Sequence, residues 1–450
     1  MEIIFTNHAS FVVQTNDITI MSDPWLYGSA FNDGWDLICE SKFKSTDFAK
    51  IDYIWFSHEH PDHFSPQVLI DIDSKIRKDI TILYKDTKDE KVISYCKKLG
   101  FRCISLSDGK KVTLKNNVRV ICCPVPFSDS WLIVENGLRR ILNLNDAVVE
   151  TKSELNKIIK KHGDIDVLLT QFSYAAWRGN KNDTLLRQKD SERKLRILSN
   201  QIKYIKPTYV IPFASFSFFS HIENDYMNDA VNKPWDVINY IEKSDTKGVL
   251  MYPSDKWRIG DPINNDRAKA LYYNDYKKIP EKLRRTSSQV SFTDLQKSAN
   301  FYIERVEKVN SPYLMWLLRK NPCYPILRPI HIFIWDINQH VRFSFSDGLT
   351  INESKYSPYQ LSMSSDSLNF LLSHTWGLNT LTINGRFEAD TQGLRMLLTT
   401  FSLEYLNNAG MSLSLKFFFE FRKIMFMLKI FFKKLRDMKK YQDNRALGNS

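Results

Sequence analysis

A cluster of histidines and acidic residues at positions 58–63 constrains this chain more than any other feature. The cluster reads His-Glu-His-Pro-Asp-His and directly follows an apolar run at 51–57. An extended run that ends in such a turn directs several imidazole and carboxylate groups at one small volume. Only nine histidines occur in 450 residues, so this density indicates a site rather than a polar surface loop. Mixed nitrogen and oxygen ligands suit zinc, iron or manganese, and the sequence therefore predicts a metal site.

The length of the chain and its targeting signals limit the number of domains and the location that we expect. A chain of 450 residues exceeds one ordinary domain, so two or three domains are expected. The first residues, Met-Glu-Ile-Ile-Phe-Thr, lack the basic and apolar regions of a signal peptide. No uncharged run reaches the roughly 18–20 residues that span a bilayer. We therefore expect a cytoplasmic protein.

The positive charge of the chain is concentrated near its C-terminus. Nine Lys and Arg residues lie between 413 and 441, against only Glu420 and Asp437, so this segment carries more than half of the net charge of +12. Its Phe, Met, Ile and Leu residues form an apolar stripe at helical spacing. A basic amphipathic helix of this kind either contacts the inner face of a membrane or packs against its own domain or a partner. The remaining residues lack a Lys-rich patch, so no nucleic-acid partner is expected.

The first 250 residues show the pattern of an α/β domain. Short β-branched and aromatic runs predict strands at 18–21, 53–56, 80–84, 118–121, 131–134, 140–142, 167–170 and 209–211. Polar segments between some of them predict helices at 88–99, 152–161 and 185–205. The close spacing of the strands between 118 and 142 favours antiparallel pairing there, which argues against a purely parallel sheet.

The second half is expected to form a smaller unit. Residues 253–280, with several Pro and Gly residues, indicate a long connection. A helix is predicted at 295–308, and residues 330–335 and 341–345 resemble a hairpin. We therefore divide the chain into 1–260, an accessory α+β domain of unknown role at 261–410, and the basic segment at 411–450.

Several motifs resemble one known family. The cluster at 58–63 resembles the second motif of the metallo-β-lactamase fold superfamily. The segment Ser-Asp-Pro-Trp-Leu-Tyr-Gly-Ser-Ala-Phe-Asn-Asp-Gly-Trp at 22–35 resembles the metallohydrolase-type domain of CMP-N-acetylneuraminate hydroxylase and its bacterial relatives. Residues 141–146 and 211–234 resemble later segments of that family. The resemblance covers about residues 1–260.

The resemblance implies an αββα sandwich with metal ligands on loops at one edge of two facing sheets. It also assigns roles to residues of this chain. One metal would be bound by His58 and His60, a second by Asp62 and His63, with Asp146 shared between them and Asp23 orienting a ligand from behind.

Two departures from the family pattern concern ligands. The superfamily usually has another histidine before the Asp146 motif, where this chain has Val125. A final histidine normally follows a late strand, where this chain has residues 212–215, and His221 comes several positions later as a candidate to reach the site. A single ion with three protein ligands is an alternative, held by Asp146 with either His58 and His60 or Asp62 and His63.

The chemistry that such a site supports is activation of water by a divalent ion, with zinc expected first and iron or manganese as alternatives. We therefore expect a hydrolase of an ester, amide or phosphodiester bond, with Asp62 and His221 as candidate catalytic residues. The resemblance suggests a small molecule, a sugar nucleotide or a surface-polysaccharide precursor as substrate.

Other function classes remain open. A hydroxylase related to the named family would need electrons from a separate Rieske protein, because this chain lacks the Cys-x-His and Cys-x-x-His pairs of a Rieske centre. A membrane-surface phospholipid hydrolase would use the basic segment at 413–441 for docking. A non-catalytic scaffold is the alternative raised by the missing histidines.

Overall fold

The computed structural model describes residues 1–15, 17–125, 129–320, 326–353, 357–408 and 410–414. The predicted basic helix at 413–441 lies outside the described residues from position 415 onwards. Its proposed contact with a membrane or a partner therefore stays a prediction. Within the described ranges, no helix has the length and apolar character needed to cross a bilayer.

The described strands are, in chain order, β1 Glu2–Asn7, β2 Ser10–Gln14, β3 Thr19–Ser22, β4 Trp35–Leu37, β5 Tyr53–Phe56, β6 Thr81–Lys85, β7 Arg102–Leu106, β8 Lys111–Thr113, β9 Arg119–Pro124, β10 Ser130–Glu135, β11 Arg140–Asn145, β12 Val167–Gln171, β13 Tyr209–Phe213, β14 Ser217–Phe219, β15 Lys247–Gly248, β16 Lys256–Arg258, β17 Ile330–Ile334, β18 Gln339–Ser344, β19 Gly348–Ile351, β20 Leu361–Met363 and β21 Phe387–Ala389.

The α-helices are α1 Pro66–Asp71, α2 Ser74–Arg77, α3 Lys91–Lys98, α4 Lys152–His162, α5 Thr184–Ile205, α6 Pro234–Ile241, α7 Asp266–Lys278, α8 Phe292–Val309, α9 Pro312–Lys320, α10 Ser365–Ser373, α11 Gly377–Asn384, α12 Thr391–Thr400 and α13 Ser402–Asn408. Short 3₁₀ helices occupy Ser45–Lys50, Lys115–Asn117, Asp225–Ala230 and Ile279–Glu281.

Two seven-stranded mixed sheets form the first half of the fold. The first sheet has the order β16-β1-β2-β3-β5-β6-β7, and the second has the order β15-β13-β12-β11-β10-β9-β8. Strands β3, β5, β6 and β7 run parallel, as do β11, β12, β13 and β15. The strands β8 to β11 pair antiparallel, which confirms the expectation for residues 118–142.

Successive side chains of a strand point to opposite faces of the sheet, which explains why both faces of the first sheet are covered. In β5, Tyr53 and Trp55 enter the core between the sheets, whereas Ile54 and Phe56 face the helices α1 and α3 on the outside. An uninterrupted apolar run therefore predicts such a doubly buried strand. Helices α4, α5 and α6 cover the outer face of the second sheet. The expected αββα sandwich is confirmed.

The sequence predicted most of these elements but missed or misread some. The predicted strands at 53–56, 131–134 and 209–211 and the helix at 185–205 correspond closely to β5, β10, β13 and α5. Strands β1 and β2 were not predicted. The prediction of a long connection at 253–280 was wrong, because this segment contains β16 and α7. Helix α7 buries only Ala268 and Tyr272 on one narrow stripe, so its many Lys, Asp and Asn residues hid the helical period.

The second half forms a smaller α+β unit around a five-stranded sheet of order β19-β18-β17-β20-β21. Helix α8 packs against this sheet with Leu295, Ala299, Tyr302 and Val306, whose spacing gives one apolar face. The side chain of Ser291 accepts a hydrogen bond from the Asp294 amide and caps the helix start. The division into domains at 260 and 410 stays a prediction. Helix α7, which follows residue 260, packs against the apolar core of the two seven-stranded sheets.

A buried arginine joins the two halves. Arg386 is fully buried and donates hydrogen bonds to Glu223, Asp366 and the carbonyl of Asn32 at 2.7–2.9 Å. These partners come from both halves of the chain, so the guanidinium fork ties them together. Nearby, a Cβ on Gly34 would lie 2.4 Å from Cβ of Asn384, so this close approach of the backbones requires glycine.

We predict that Arg386→Met lowers the free energy of unfolding by about 3–5 kcal/mol, because it leaves two largely buried carboxylates without their cation. Reversible chemical denaturation measures the change. Arg196→Met is the matched control: its partner Glu192 is solvent-exposed, so a change below about 1 kcal/mol is expected. Equal losses in the two variants would contradict the structural role of Arg386.

Candidate metal centre

Three parallel strands of the first sheet end at the same edge. His8 follows β1, Asp23 follows β3, and Ser57 and His58 follow β5. The backbone turns sharply at these positions: φ is +37° at His8 and +41° at Asp23, a region that side-chain-bearing residues rarely adopt. Strain of this kind clusters at functional sites. The strand ends therefore gather the polar side chains on one side of the sandwich.

The turn at 58–63 is held by its own backbone. The amides of His63 and Phe64 both donate to the carbonyl of His60, at 2.9 and 2.7 Å. This turn brings Nε2 of His58 within 2.8 Å of Nδ1 of His60. Asp146, which follows β11 in the second sheet, places its Oδ2 3.9 Å from that Nε2 of His58. Both sheets thus contribute to one cluster.

Asp23 lies on the buried side of the cluster and contacts the side chain of His63. Its carboxylate is fully buried and accepts hydrogen bonds from the amide of Ser57 at 2.8 Å and from Nδ2 of Asn145 at 3.1 Å. Nδ1 of His63 lies 3.1 Å from the same carboxylate. Because Nδ1 is bound there, Nε2 of His63 points into the cluster, 3.4 Å from Oδ2 of Asp62 and 3.7 Å from Oδ2 of Asp146.

Three overlapping groups of side chains bring their ligand atoms within 4.8 Å of one another: His58, His60 and Asp62; His58, His63 and Asp146; and His8, Asp62 and His63. The side chains of His58 and His63 are 1% exposed and that of Asp62 is 6% exposed, whereas Asp146 is 20% exposed. The cluster is therefore buried on one side and open near Asp146.

Burial and charge act against each other in this cluster. Burial lowers the pKa of His58 and His60 below their ordinary value, so both rings are neutral and keep a lone pair for a metal. Burial also opposes charge on His63, but the carboxylates of Asp62, Asp146 and Asp23 outweigh it and raise the pKa of His63 well above its ordinary value. The carboxylates around His63 thus create a negative environment, and a bound cation would compensate their charge.

The residues fit a divalent metal ion. Nε2 of His63, Oδ1 of Asp62 and Oδ1 of Asp146 are buried and have no hydrogen-bond partner among the described residues. Buried polar atoms without partners are rare in native proteins, and one explanation is a bound ion. Two atoms that each bind a tetrahedral ion at 2.0–2.1 Å lie about 3.3–3.4 Å apart, which matches the 3.4 Å between His63 and Asp62.

The second half of the chain reaches the same cluster. The side-chain amide of Asn379, on α11, lies 3.3 Å from Nε2 of His60, and the ring of Phe31 packs edge-on against His60 at 5.7 Å between centroids. The Asn379 amide can serve either protonation state of His60, because its nitrogen donates and its oxygen accepts. The position of His60 therefore depends on both halves.

His221 is absent from the three groups of potential ligands. Its Nδ1 accepts a hydrogen bond from the amide of Glu223 at 3.2 Å, and its Nε2 lies 3.1 Å from Oγ of Ser287. These contacts place the ring beside Arg386, between the two halves. Burial, reinforced by the charge of Arg386, lowers the pKa of His221 to about 4. The arrangement favours a structural role over metal binding.

Sequence reasoning missed His8. The ring is 1% exposed, packs edge-on against Trp25, and has its Nε2 3.3 Å from Oδ2 of Asp62. No motif marked it, because it stands alone in the sequence and far from the cluster. The signal that could have found it is its place directly after a strand that runs parallel to β3 and β5.

Comparison with known proteins agrees with this geometry. Residues 2–173 match the family described as the beta-lactamase superfamily domain, and this range contains the whole cluster. The sandwich and the His/Asp cluster of this superfamily domain together indicate a site for a divalent metal ion.

Two curated relatives of the superfamily domain cover about half of the chain. A Mycobacterium tuberculosis protein, provisionally named a Rieske 2Fe-2S iron-sulfur protein, is 27% identical over 250 residues, which are 52% of this chain and 47% of the relative. The cytidine monophosphate-N-acetylneuraminic acid hydroxylase of Danio rerio is 27% identical over 259 residues, 53% of this chain and 42% of the relative. The chain thus spans less than half the length of either relative.

Among solved structures, the diiron beta-hydroxylase CmlA from Streptomyces venezuelae is similar with a TM-score of 0.41 and 15% identity, over 57% of this chain and 54% of that one.

We predict that the wild-type protein loses stability, relative to His221→Gln, as the pH falls from about 6.5 towards 4. In this window the unfolded chain binds a proton at His221, whereas the folded chain, whose pKa is about 4, does not. The stabilising contribution is therefore fully present above pH 6.5 and is lost below it. Denaturant unfolding of both proteins between pH 4.5 and 7.5 measures the difference.

The exposed His374→Gln is the control, and its pH profile should follow that of the wild type. Parallel profiles for wild type and His221→Gln would show that His221 does not remain neutral in the folded protein.

Proposed function

We propose that this chain is a metal-dependent hydrolase that acts on an ester, amide or phosphodiester bond of a small polar substrate. One observation carries the proposal. Nε2 of His58, Nδ1 of His60 and Nε2 of His63 converge with the carboxylates of Asp62 and Asp146 on one buried volume. Three imidazoles and two carboxylates are a ligand set for a divalent transition-metal ion.

The ligands divide into two sets. His58 and His60 would hold one ion through the ring nitrogens that face each other at 2.8 Å. Asp62 and His63 would hold a second ion, and Asp146 lies within 4 Å of both His58 and His63 and could serve either. Two histidines that are usual in the resembling family are absent from this chain. The residues that are present still provide ligands for both ions.

The positions of these groups suggest how the chain would use the site. A divalent ion bound here would lower the pKa of water from 15.7 to about 7 and polarise the bond under attack. Asp146 has the most exposed side chain among the carboxylates of the cluster, but its Oδ1 is buried and has no hydrogen-bond partner among the described residues. Asp146 would therefore act as a ligand at the edge of the cluster. Asp62, predicted from the sequence with His221 as a candidate catalytic residue, lies deeper in the cluster and would act as a ligand.

The proposed substrate class, a sugar nucleotide or polysaccharide precursor, rests on the similarity of residues 2–173 and their surroundings to the hydroxylases that act on cytidine monophosphate-N-acetylneuraminic acid by name. Zinc is the proposed metal, with iron or manganese as alternatives, because imidazole ligands suit all three.

We predict that the purified wild-type protein holds at least one equivalent of zinc, manganese or iron per chain, and that His60→Ala and Asp146→Ala lower this content together with the hydrolysis of bis(p-nitrophenyl) phosphate or simple esters. Each variant removes a ligand from a buried site. Elemental analysis of protein purified without chelator measures the metal. His374→Ala, at an exposed histidine, should keep both properties.

A protein that holds no metal and refuses added zinc, manganese and iron would overturn the proposal. Full metal content and full activity in both ligand variants would overturn the assignment of the ligands.

A second candidate is supported by the relatives. Because these carry the names of hydroxylases and Rieske proteins, the chain could be the metal-binding component of a hydroxylase that receives electrons from a separate Rieske protein. Bound iron, no hydrolytic turnover, and oxygen uptake that needs a reduced Rieske protein would favour this candidate. Zinc with hydrolytic turnover would exclude it.

We predict that Asp23→Asn weakens metal binding by about 10–100-fold while the protein stays folded, because the amide keeps the shape of the carboxylate but not its charge towards His63. Equilibrium dialysis with zinc measures the affinity. Asp52→Asn is the matched control: Asp52 binds the amide of Thr19 at the other end of β3, far from the cluster. An unchanged affinity in Asp23→Asn would contradict the orienting role.

A further inference from the structure

His8 has the surroundings of a ligand rather than of a core histidine. Its ring is buried between Trp25 and His63, with centroid distances of 5.3 and 6.0 Å. Neither ring nitrogen has a hydrogen-bond partner among the described residues. A buried imidazole carries one donor and one acceptor, and leaving both without partners costs about 1–3 kcal/mol for each group. A structural histidine in this place would have such partners, as His221 does.

The distances around His8 fit an ion. Nε2 of His8 and Nε2 of His63 lie 3.3 and 3.4 Å from the same atom, Oδ2 of Asp62. Ligand atoms of a tetrahedral ion with bonds of 2.0–2.1 Å are about 3.3–3.4 Å apart. The contact of His8 with Asp62 lacks hydrogen-bond geometry at the histidine nitrogen. The ligand atoms of His8, Asp62 and His63 all lie within 4.8 Å of one another, close enough for one ion to contact all three.

The backbone of His8 is held by the second sheet. The amide of Ala214, directly after β13, donates to the carbonyl of His8 at 2.9 Å. Both residues have left-handed backbones, with φ of +37° and +52°. This contact fixes the end of β1, and with it the imidazole of His8, at the edge where the two sheets meet.

We propose that His8 binds, through Nε2, the divalent ion that Asp62 and His63 also bind. The inference rests on the proposed metal dependence of the site and deepens it. This ion then has three protein ligands, His8, Asp62 and His63. Asp146 could add a ligand to this ion or to the ion at His58 and His60. The chain would then hold two ions with its own four histidines and two carboxylates at this cluster.

Zinc binding to the metal-free full-length chain tests this inference by equilibrium dialysis. Four variants are compared with the wild type: His8→Asn, His8→Asp, His60→Ala and the exposed control His374→Ala. Asn tolerates a left-handed backbone better than most residues, so His8→Asn keeps the local conformation and removes the ligand. We expect it to lose one equivalent of zinc, or to weaken it by more than the about 10–100-fold that follows loss of an outer-shell partner.

His8→Asp offers a carboxylate in place of the imidazole. We expect it to recover part of the lost zinc affinity and to change the visible spectrum of the cobalt-loaded protein, because oxygen replaces nitrogen at the ion. His60→Ala should lose the other equivalent, and His374→Ala should bind as the wild type does. Circular dichroism checks that each variant is folded.

The histidine resonances of the wild type give a second measurement. In protein labelled with ¹⁵N-histidine, binding of zinc, which is diamagnetic and shifts chiefly the nitrogens that bind it, should shift the ring resonances of four histidines. The spectrum of folded His8→Asp identifies which of the four is His8. An unshifted His8 ring, or a folded His8→Asn that keeps every equivalent at unchanged affinity, would overturn this inference alone. A wild type that binds neither zinc nor cobalt would overturn the proposed function as well.

Discussion

The carboxylate of Asp23 is the constraint on which the architecture of the site depends. It is removed from solvent, where an isolated charge would be strongly unfavourable, and it is tolerated because donors surround it. Those donors come from the end of β5, from the turn that follows β5, and from the end of β11 in the opposite sheet. One buried group therefore sets the distance between the two sheets at this edge and the direction of His63.

The same arrangement explains why the cluster is open only on one side. On its buried side, the cluster contacts Asp23 and Asn145, whose side chains are buried at the strand ends of the two sheets. Above it, Asp146 is partly exposed and α11 approaches with Asn379. The second half of the chain therefore borders the exposed side of the cluster, and Arg386 with its carboxylate partners joins this half to the sandwich.

The sequence predicted much of this structure where the physical signal was local. Short, uninterrupted apolar runs predicted β5, β10 and β13, and the spacing of His58, His60, Asp62 and His63 predicted that their side chains meet. The orienting role of Asp23 came only from the resemblance and stays a prediction; its carboxylate contacts His63 and Asn145. His8 and Asn379 were missed because their contacts depend on segments distant in the chain, and helix α7 was missed because its many polar residues hid the helical period. His221 was assigned to the site from its order along the chain, but its ring lies with Glu223 and Ser287.

The hydrogen bond between Asn379 and His60 has a consequence for how the two halves communicate. His60 belongs to the cluster, and Asn379 belongs to the half that docks over it. If docking of α11 changes the affinity of the cluster for a cation, then by thermodynamic reciprocity the cation must change the affinity of the two halves for each other by the same factor. Occupancy of the centre and closure of the interface then become one equilibrium. The amide side chain of Asn379 is the contact through which this coupling would act.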